Sequence, residues 1–385
     1  MKHRCYASCA FGIEGVLAAE LKRLELENIA AQDARVYFDA DTEEIARANM
    51  FLRTADRVYL VLDEFEARSF EELYERVSAI PFSDILPSDA RFPVNGNAVK
   101  STLMSVSDIQ SVGKKAIADA LKKTYHAERF PENGNLFNIY INIYKDTATV
   151  ALNTSGAGLN RRGYRLKNAQ APIKETLAAA MIQISRWTHR DFFDPMCGSG
   201  TIVIEAAMMA ANMAPGIYRA FDAANYGNDF KAAFSLARQQ AKDLLKTPQM
   251  DIFGFDIDEK NLALAKEHAR TMQVGEWISF RRQDVRKFKQ PEKPAVVITN
   301  PPYAKRIGEQ KETDALYRAM GQALRPLEDT LVYVICANES FEKNYGRRAD
   351  KKRKLYNGNI RCDYYQYFRR AGARGPVREE AAWDK

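Results

Sequence analysis

The sequence predicts an α/β protein: an open, mostly parallel sheet closed by an antiparallel hairpin, preceded by an α+β region. Three observations carry this. From about residue 172 onward, short apolar runs alternate with helix-period segments, as in a doubly wound sheet. Near the C-terminus, Asn357-Gly358 separates two strand-like runs, 354–356 and 360–368, which is a strong hairpin signal. Before residue 155 the alternation ends in two neighbouring strands, 137–144 and 147–152, joined only through Lys145-Asp146.

The elements follow in order. A short strand over 6–10 precedes a helix over 12–24, with Leu17, Leu21 and Leu24 on one face. A strand over 35–38 leads to a helix with Thr42 as its N-cap and Ile45, Ala46, Met50 and Phe51 inward. Residues 57–65 alternate as a strand, and Ser69 caps a helix around Leu73 and Val77. A strand over 91–100 and a helix over 107–125, with Ile109, Val112, Ile117 and Leu121, complete the set. The pattern reads as two small units in series. Residues 153–170 are rich in Gly, Asn and Arg and read as a linker; Pro172 then suits a first helical turn. Beyond it, strands are expected at 191–194, 252–256, 278–281, 295–300 and 331–336, with helices starting near Gly200, Asp258, Thr313 and Glu339. Residues 213–245 read as a helical insertion, and 371–385 as a loose tail.

Composition narrows the class. No run of 18 apolar residues occurs, so a spanning helix is excluded, and the N-terminus lacks a signal-peptide core. Five cysteines without a CxxC and four scattered histidines offer no metal-ligand spacing and read as reduced thiols of a cytoplasmic protein without metal. The net charge of +7 is modest, but its placement is uneven. Between Lys343 and Arg370 lie ten Lys/Arg and two acids, and pairs occur at Lys114-Lys115, Lys122-Lys123 and Arg161-Arg162. Each cluster is either a solvated face or a nucleic-acid contact.

Two strand-end motifs carry chemistry. Asp194-Pro195-Met196-Cys197-Gly198-Ser199-Gly200-Thr201 joins a strand to a helix, and its glycines let the backbone approach a ligand. The dinucleotide fingerprint would need a third small residue where Val203 stands, so a pyrophosphate is not the expected ligand. At the end of the next strand Asp256 is placed to accept from ribose hydroxyls, while Asp258 reads as a helix N-cap. Asp284 follows the third strand and reads either as an acceptor for an adenine amine or as a capping acid. Cys197 is badly placed for a nucleophile inside this loop.

Asn300-Pro301-Pro302-Tyr303 follows the strand 295–299. An aryl amine is a poor nucleophile because its lone pair is delocalised into the ring. The Asn300 side-chain oxygen and the Pro301 carbonyl can accept its two N–H bonds and stabilise the positive charge that develops during attack on a methyl sulfonium. Pro302 fixes the backbone, and Tyr303 can stack on a flipped or unpaired base.

With these residues in view, the chain resembles the THUMP-domain class I RNA methyltransferases, and within them the single-methyltransferase form of the bacterial 23S ribosomal RNA guanine-N2 methyltransferase group. The similarity lies in 105–110 with 113–117, in Leu159-Asn160-Arg161-Arg162-Gly163-Tyr164-Arg165, in 171–178, in the two motifs above with 254–258, and in Leu355-Tyr356-Asn357-Gly358. The resemblance implies a ferredoxin-like part over 1–43, a THUMP RNA-binding domain over 44–155, a linker over 156–170 and a Rossmann-like methyltransferase domain over 171–385. It implies S-adenosylmethionine as cofactor, held by Thr176, Asp194, Pro195, Met196, Cys197, Gly198, Ser199, Gly200, Thr201, Asp256, Ile257, Asp284 and Asn300. The implied partner is RNA, as 23S rRNA or a preribosomal particle, with Lys100, Lys114, Lys115, Arg161, Arg162 and Arg165 as contacts. Methylation of tRNA or of an adenine N6 is the alternative. The family's Gly-Glu-Arg after Tyr303 is replaced by Ala304-Lys305-Arg306.

Overall fold

A computed structural model describes residues 1–127, 129–165, 173–303 and 310–368. The expectations for Pro172, for Ala304-Lys305-Arg306 and for the 371–385 tail lie outside the described residues. The elements are β1 (His3–Ser8), α1 (Glu14–Arg23), β2 (Glu27–Gln32), β3 (Arg35–Ala40), α2 (Thr42–Phe51), β4 (Arg57–Glu66), α3 (Phe70–Ser78), β5 (Val94–Val99), α4 (Val106–Tyr125), β6 (Ile139–Tyr144) and β7 (Thr147–Asn153). They continue with α5 (Glu175–Ile184), β8 (Asp191–Asp194), α6 (Thr201–Ala210), α7 (Asn228–Asp243), β9 (Ile252–Asp256), α8 (Glu259–Thr271), β10 (Ile278–Arg282), β11 (Ala295–Thr299), α9 (Gln310–Leu324), β12 (Thr330–Cys336), α10 (Phe341–Tyr345), β13 (Lys351–Asn357) and β14 (Ile360–Tyr367). They divide into two units: Met1–Gly163 with Asn212–Lys246, and Tyr164–Ala211 with Thr247–Lys385.

In the first unit the strands form one sheet in the order β2-β3-β1-β4-β7-β6-β5. The two small units expected in series thus share one continuous sheet. The ten-residue β4 pairs with β1 through Arg57–Leu60 and with β7 through Tyr59–Glu66, so one long strand belongs to both halves. β2 was not foreseen; it is an edge strand, mostly exposed, whose residues lack apolar alternation. The cap of α2 also shifts by one residue. Asp41, not Thr42, is the N-cap, and it forms a capping box with Glu44 through two 2.9 Å bonds. Leu73, Val77, Ile109, Ile117, Leu121, Ile139, Ile141 and Val150 pack α3 and α4 onto one face of the sheet.

The first part of the segment expected as a linker, 153–163, is packed into this unit. Asn153, Thr154 and Ser155 are buried, and Asn49 of α2 bonds to both hydroxyls. The insertion belongs here too. Gly216 N–H donates to the Met50 carbonyl at 3.0 Å, and an added Cβ would lie 2.9 Å from Met50 backbone atoms, so only glycine fits. Tyr226 stacks on Phe137 at 4.4 Å, and its hydroxyl donates to the Asn153 carbonyl. Arg219 is buried and donates to the carbonyls of Gly158, Ser155, Ala157 and Ala220. Burial lowers its pKa to about 10.

The second unit is the open sheet, with strand order β10-β9-β8-β11-β12-β14-β13. β10, β9, β8, β11 and β12 run parallel, and β14 and β13 close the sheet antiparallel. Phe193, Val297, Val334, Tyr317 and Met320 form the core on one face. On the other, the apolar α5 and α6 are buried almost throughout.

Candidate active site

Chain order reverses at β8. The chain runs outward from β8 to β9 and β10, then crosses to β11 and β12 on the other side. Open α/β sheets bind ligands at the carboxyl edge where this reversal opens a crevice. Asp194 ends β8 and Asn300 follows β11, so the two sequence motifs meet at this point. They are also joined directly: the Asp194 Oδ1 accepts from the Thr299 hydroxyl at 2.7 Å and from Met196 N–H at 3.1 Å. The Asp194 carboxyl is buried, and that burial pushes its pKa up to about 7 against the pull of those two donors. Sequence reasoning missed Thr299. The one signal available was its place before Asn300.

The loop after β8 turns on two left-handed glycines. Gly200, at φ +86°, is the N-cap of α6, and an added Cβ would stand 3.0 Å from Ala265 of α8. Gly198, at φ +53°, has nothing within 4 Å of such a Cβ, which leaves open space over the loop. Cys197 lies beneath, its N–H on the Phe255 carbonyl and its Sγ against Gly254. Burial raises the thiol pKa well above the usual range, so Cys197 is a packing residue and not a thiolate. The Ser199 carbonyl accepts from His268 Nδ1 of α8 at 3.0 Å.

Asp256 ends β9 and ties the edge together. Its Oδ2 accepts from Gly198 N–H at 2.9 Å; its Oδ1 accepts from Asp258 N–H at 2.9 Å and from the Asn261 amide at 3.3 Å. Three bonds leave a carboxylate with acceptor capacity for one more donor. The next residue, Ile257, is 57% exposed and offers an apolar surface on the same edge. Asp258 is the N-cap of α8, as its sequence reading preferred. Asp284 caps the 3-10 turn Val285–Lys287 and binds the Arg286 guanidinium through both oxygens, which holds its pKa below the usual carboxylate range. The capping reading of Asp284 is therefore present in the structure. Thr176 is buried in the first turn of α5.

The two proline carbonyls of the Asn300–Tyr303 loop differ in hydrogen bonding, with Pro301 itself buried and Pro302 exposed. Among the described residues the Pro301 carbonyl has no hydrogen-bond partner, whereas the Pro302 carbonyl accepts from the Tyr317 hydroxyl of α9 at 3.0 Å. The Asn300 Oδ1 accepts a short bond from the Tyr303 hydroxyl. Tyr303 packs inward on the sheet core, with the Cys362 Sγ of β14 at 3.9 Å from its oxygen, and burial raises its pKa. The ring expected to stack on a base thus lies over its own loop. Tyr317 and Cys362 carried no local signal, since each reaches the loop from another element.

The six expected RNA contacts divide. Lys100 and Arg161 are exposed. Lys114 lies 3.5 Å over the Phe92 ring and pairs with Glu132 at 2.8 Å, and Lys115 lies over Tyr74. Arg162 is a correction: it is 1% exposed, and its guanidinium donates to the carbonyls of Leu159 and Arg53. A guanidinium buried on backbone carbonyls cannot reach a phosphate. Arg165 is held by buried Glu175 at 3.1 Å, the Ile173 carbonyl and the Thr201 hydroxyl. It braces the start of α5 against α6. Among the described residues no His/Cys/Asp/Glu cluster could hold a metal ion, and no helix is long and apolar enough to cross a membrane.

Comparison with known proteins gives three family matches along the chain: an RlmL ferredoxin-like domain over 4–59, a THUMP domain over 67–153, and an RMKL-like methyltransferase domain over 162–366. The first ends within β4, the shared strand, and the second begins just after it. A Bacillus subtilis (strain 168) protein named "Putative RNA methyltransferase YpsC" is 42% identical over 95% of this chain and 96% of its own. The "Ribosomal RNA large subunit methyltransferase K/L" of Vibrio parahaemolyticus is 34% identical over 92% of this chain, which spans only 52% of that protein. Among solved structures, a Listeria monocytogenes protein described as a predicted N6-adenine-specific DNA methylase matches with TM-score 0.90 at 42% identity, covering 96% of each chain. A protein described as "a putative methyltransferase complexed with SAH" matches with TM-score 0.90 at 38% identity, over 97% of this chain and 99% of its own.

Proposed function

The chain belongs to the RMKL-like methyltransferase family with its ferredoxin-like and THUMP domains, and from that premise we propose that it methylates the exocyclic N2 amine of a guanine in 23S rRNA. S-adenosylmethionine is the cofactor of this family, and when bound it supplies a methyl group on an electrophilic sulfonium. The residues at the carboxyl edge fit it. Open space lies over Gly198, Asp256 keeps acceptor capacity for a hydroxyl, and Ile257 leaves an exposed apolar side chain beside them. Asp194 and the glycine loop would hold the amino-acid part, Asp256 the ribose, and Ile257 with Asp284 the adenine.

The observation that carries the reading is the Pro301 carbonyl, without a hydrogen-bond partner among the described residues, next to the Asn300 amide oxygen at the end of β11. Two acceptors on adjacent residues suit the two hydrogens of an aryl amine. They orient its nitrogen and stabilise the charge that forms as its lone pair engages. For this, the Tyr303 hydroxyl must leave Asn300, and the same rotation frees its ring to stack on the base. Tyr317 holds the Pro302 carbonyl and so keeps the loop's backbone in place. The THUMP domain and the K/L relatives support RNA as the substrate, and only those relatives' names support the large-subunit rRNA.

Asn300→Ala tests the assignment. Methyl transfer to RNA is expected to fall by about a thousandfold, roughly 4 kcal/mol of transition-state stabilisation. Affinity for SAH, by calorimetry, is expected to stay within about threefold, a difference below about 0.7 kcal/mol. Transfer that survives the substitution would show that the amine is activated elsewhere.

A further inference from the structure

The dense basic stretch between Lys343 and Arg370 found no place in the catalytic edge, and the structure shows where part of it goes. β14 is antiparallel to β12, with Asp363 opposite Cys336, the last residue of β12. Residues 360–362 therefore run past the carboxyl end of the parallel strands, and β13 returns alongside them. The β13–β14 tip rises on the same edge as Asn300. It touches the catalytic loop through Cys362 and Tyr303.

Strand register places Tyr356 directly opposite Arg361 and Lys354 opposite Asp363, so these four share one face. Lys354 and Arg361 are exposed, and neither makes an ion pair among the described residues. Asp363 stands opposite Lys354 without closing a salt bridge. Other cations of the stretch are already engaged: Arg347 pairs with Asp350 and Lys352 with Glu342, each at 3.0 Å. On the opposite face of the tip, Ile360 is 44% exposed, two residues before Cys362. Lysines on an edge strand also serve to block strand addition. That role does not explain Arg361, which lies on the inner strand β14, nor their grouping at the catalytic end of the hairpin.

We propose that the β13–β14 tip is the substrate clamp of the methyltransferase domain: Arg361 and Lys354 hold the phosphates of the single-stranded RNA segment that flanks the target base. The inference rests on the RNA reading above and adds to it where the strand lies relative to Asn300. An RNA strand needs a basic track within a nucleotide or two of the base presented to the acceptors, and this tip supplies it from the same sheet.

The test is Lys354→Glu with Arg361→Glu, measured by fluorescence anisotropy with a labelled, mixed-sequence RNA 20-mer across a salt series. Glutamates keep the edge strand charged, so protection against strand addition is retained while attraction to phosphate is reversed. At 150 mM salt, affinity is expected to fall at least about tenfold, and the plot of log affinity against log salt to flatten by roughly 1.4, the value for two phosphate contacts on a single strand. SAH affinity is expected to be unchanged. A control with the same change in net charge, Lys266→Glu with Lys289→Glu, both exposed in the same unit, is expected to lose less than threefold, under about 0.7 kcal/mol. Equal losses in the two double variants, or no loss in the first, would overturn the clamp. Absence of RNA binding by the wild-type protein would instead overturn the RNA reading on which it rests.

Discussion

Two buried arginines of the first unit and two buried aspartates of the second use their charge in opposite ways. In the first unit two of the buried charges, beside Glu20, are arginines. Arg219 and Arg162 point their guanidinium groups at backbone carbonyls of the 153–162 segment and of Arg53, and Arg219 alone reaches three carbonyls of that segment and that of Ala220. Their hydrogen-bonding capacity is consumed by the fold. In the second unit Asp194 and Asp256, two of several buried acids, stand at strand ends, accept two and three bonds and retain lone pairs at the crevice. A saturated buried charge is architecture, and an unsaturated one at a strand end is available to a ligand.

That contrast can be broken by substitution. Arg219→Met should cost the most, about 3 kcal/mol of unfolding free energy, because it leaves several buried carbonyls without donors. SAH affinity should not change, and a loss there would mean that Arg219 serves the site as well as the fold. Asp256→Ala should weaken SAH binding by about thirtyfold, roughly 2 kcal/mol for hydrogen bonds to a charged group. Unchanged affinity in calorimetry would remove Asp256 from the ribose position.

Asp194 sharpens the comparison through pH. Its folded pKa, about 7, lies above the ordinary carboxylate value, so folding favours the protonated form. The cofactor-free protein should therefore lose stability as pH rises from about 4 to about 7, and no further above that. Asp194→Asn keeps an acceptor for Thr299 and Met196 but cannot ionise. It should stabilise the protein by about 4 kcal/mol at pH 8 and by almost nothing at pH 3; an equal effect at both would show that the folded carboxyl titrates at its ordinary value. The smallest effect belongs to Tyr303→Phe, which uncovers the Asn300 oxygen and keeps the ring. Methyl transfer should stay within about threefold of wild type, under about 0.7 kcal/mol. A larger loss would give the hydroxyl a part in catalysis.

Much of the second sheet was legible because its motifs sit at strand ends, where local pattern and local function coincide. Asp194 to Thr201, Asp256 and Asn300 to Tyr303 all stand on the carboxyl edge, and the Asn357-Gly358 hairpin closes the sheet as its turn signal indicated. The first sheet was harder to read because its defining contacts are long-range. Nothing near Arg57 or Glu66 announces that one strand pairs with β1 at one end and β7 at the other. Nor does anything in 212–246 reveal that an insertion following α6 packs against α2. Arg161-Arg162 was misread for a related reason. Two adjacent arginines look alike in sequence, yet one is exposed and the other buried under its own loop. The position of Tyr303 over Asn300 was equally invisible, since it depends on Cys362 and the core beneath it.

The central claim is that this edge methylates a guanine amine in RNA. The direct measurement is to incubate the purified chain with unmethylated 23S rRNA and methyl-labelled S-adenosylmethionine, digest the RNA to nucleosides and identify the labelled species by mass spectrometry. The account predicts label in N2-methylguanosine. Label in N6-methyladenosine, or an rRNA left unlabelled while tRNA under the same conditions is labelled, would contradict it.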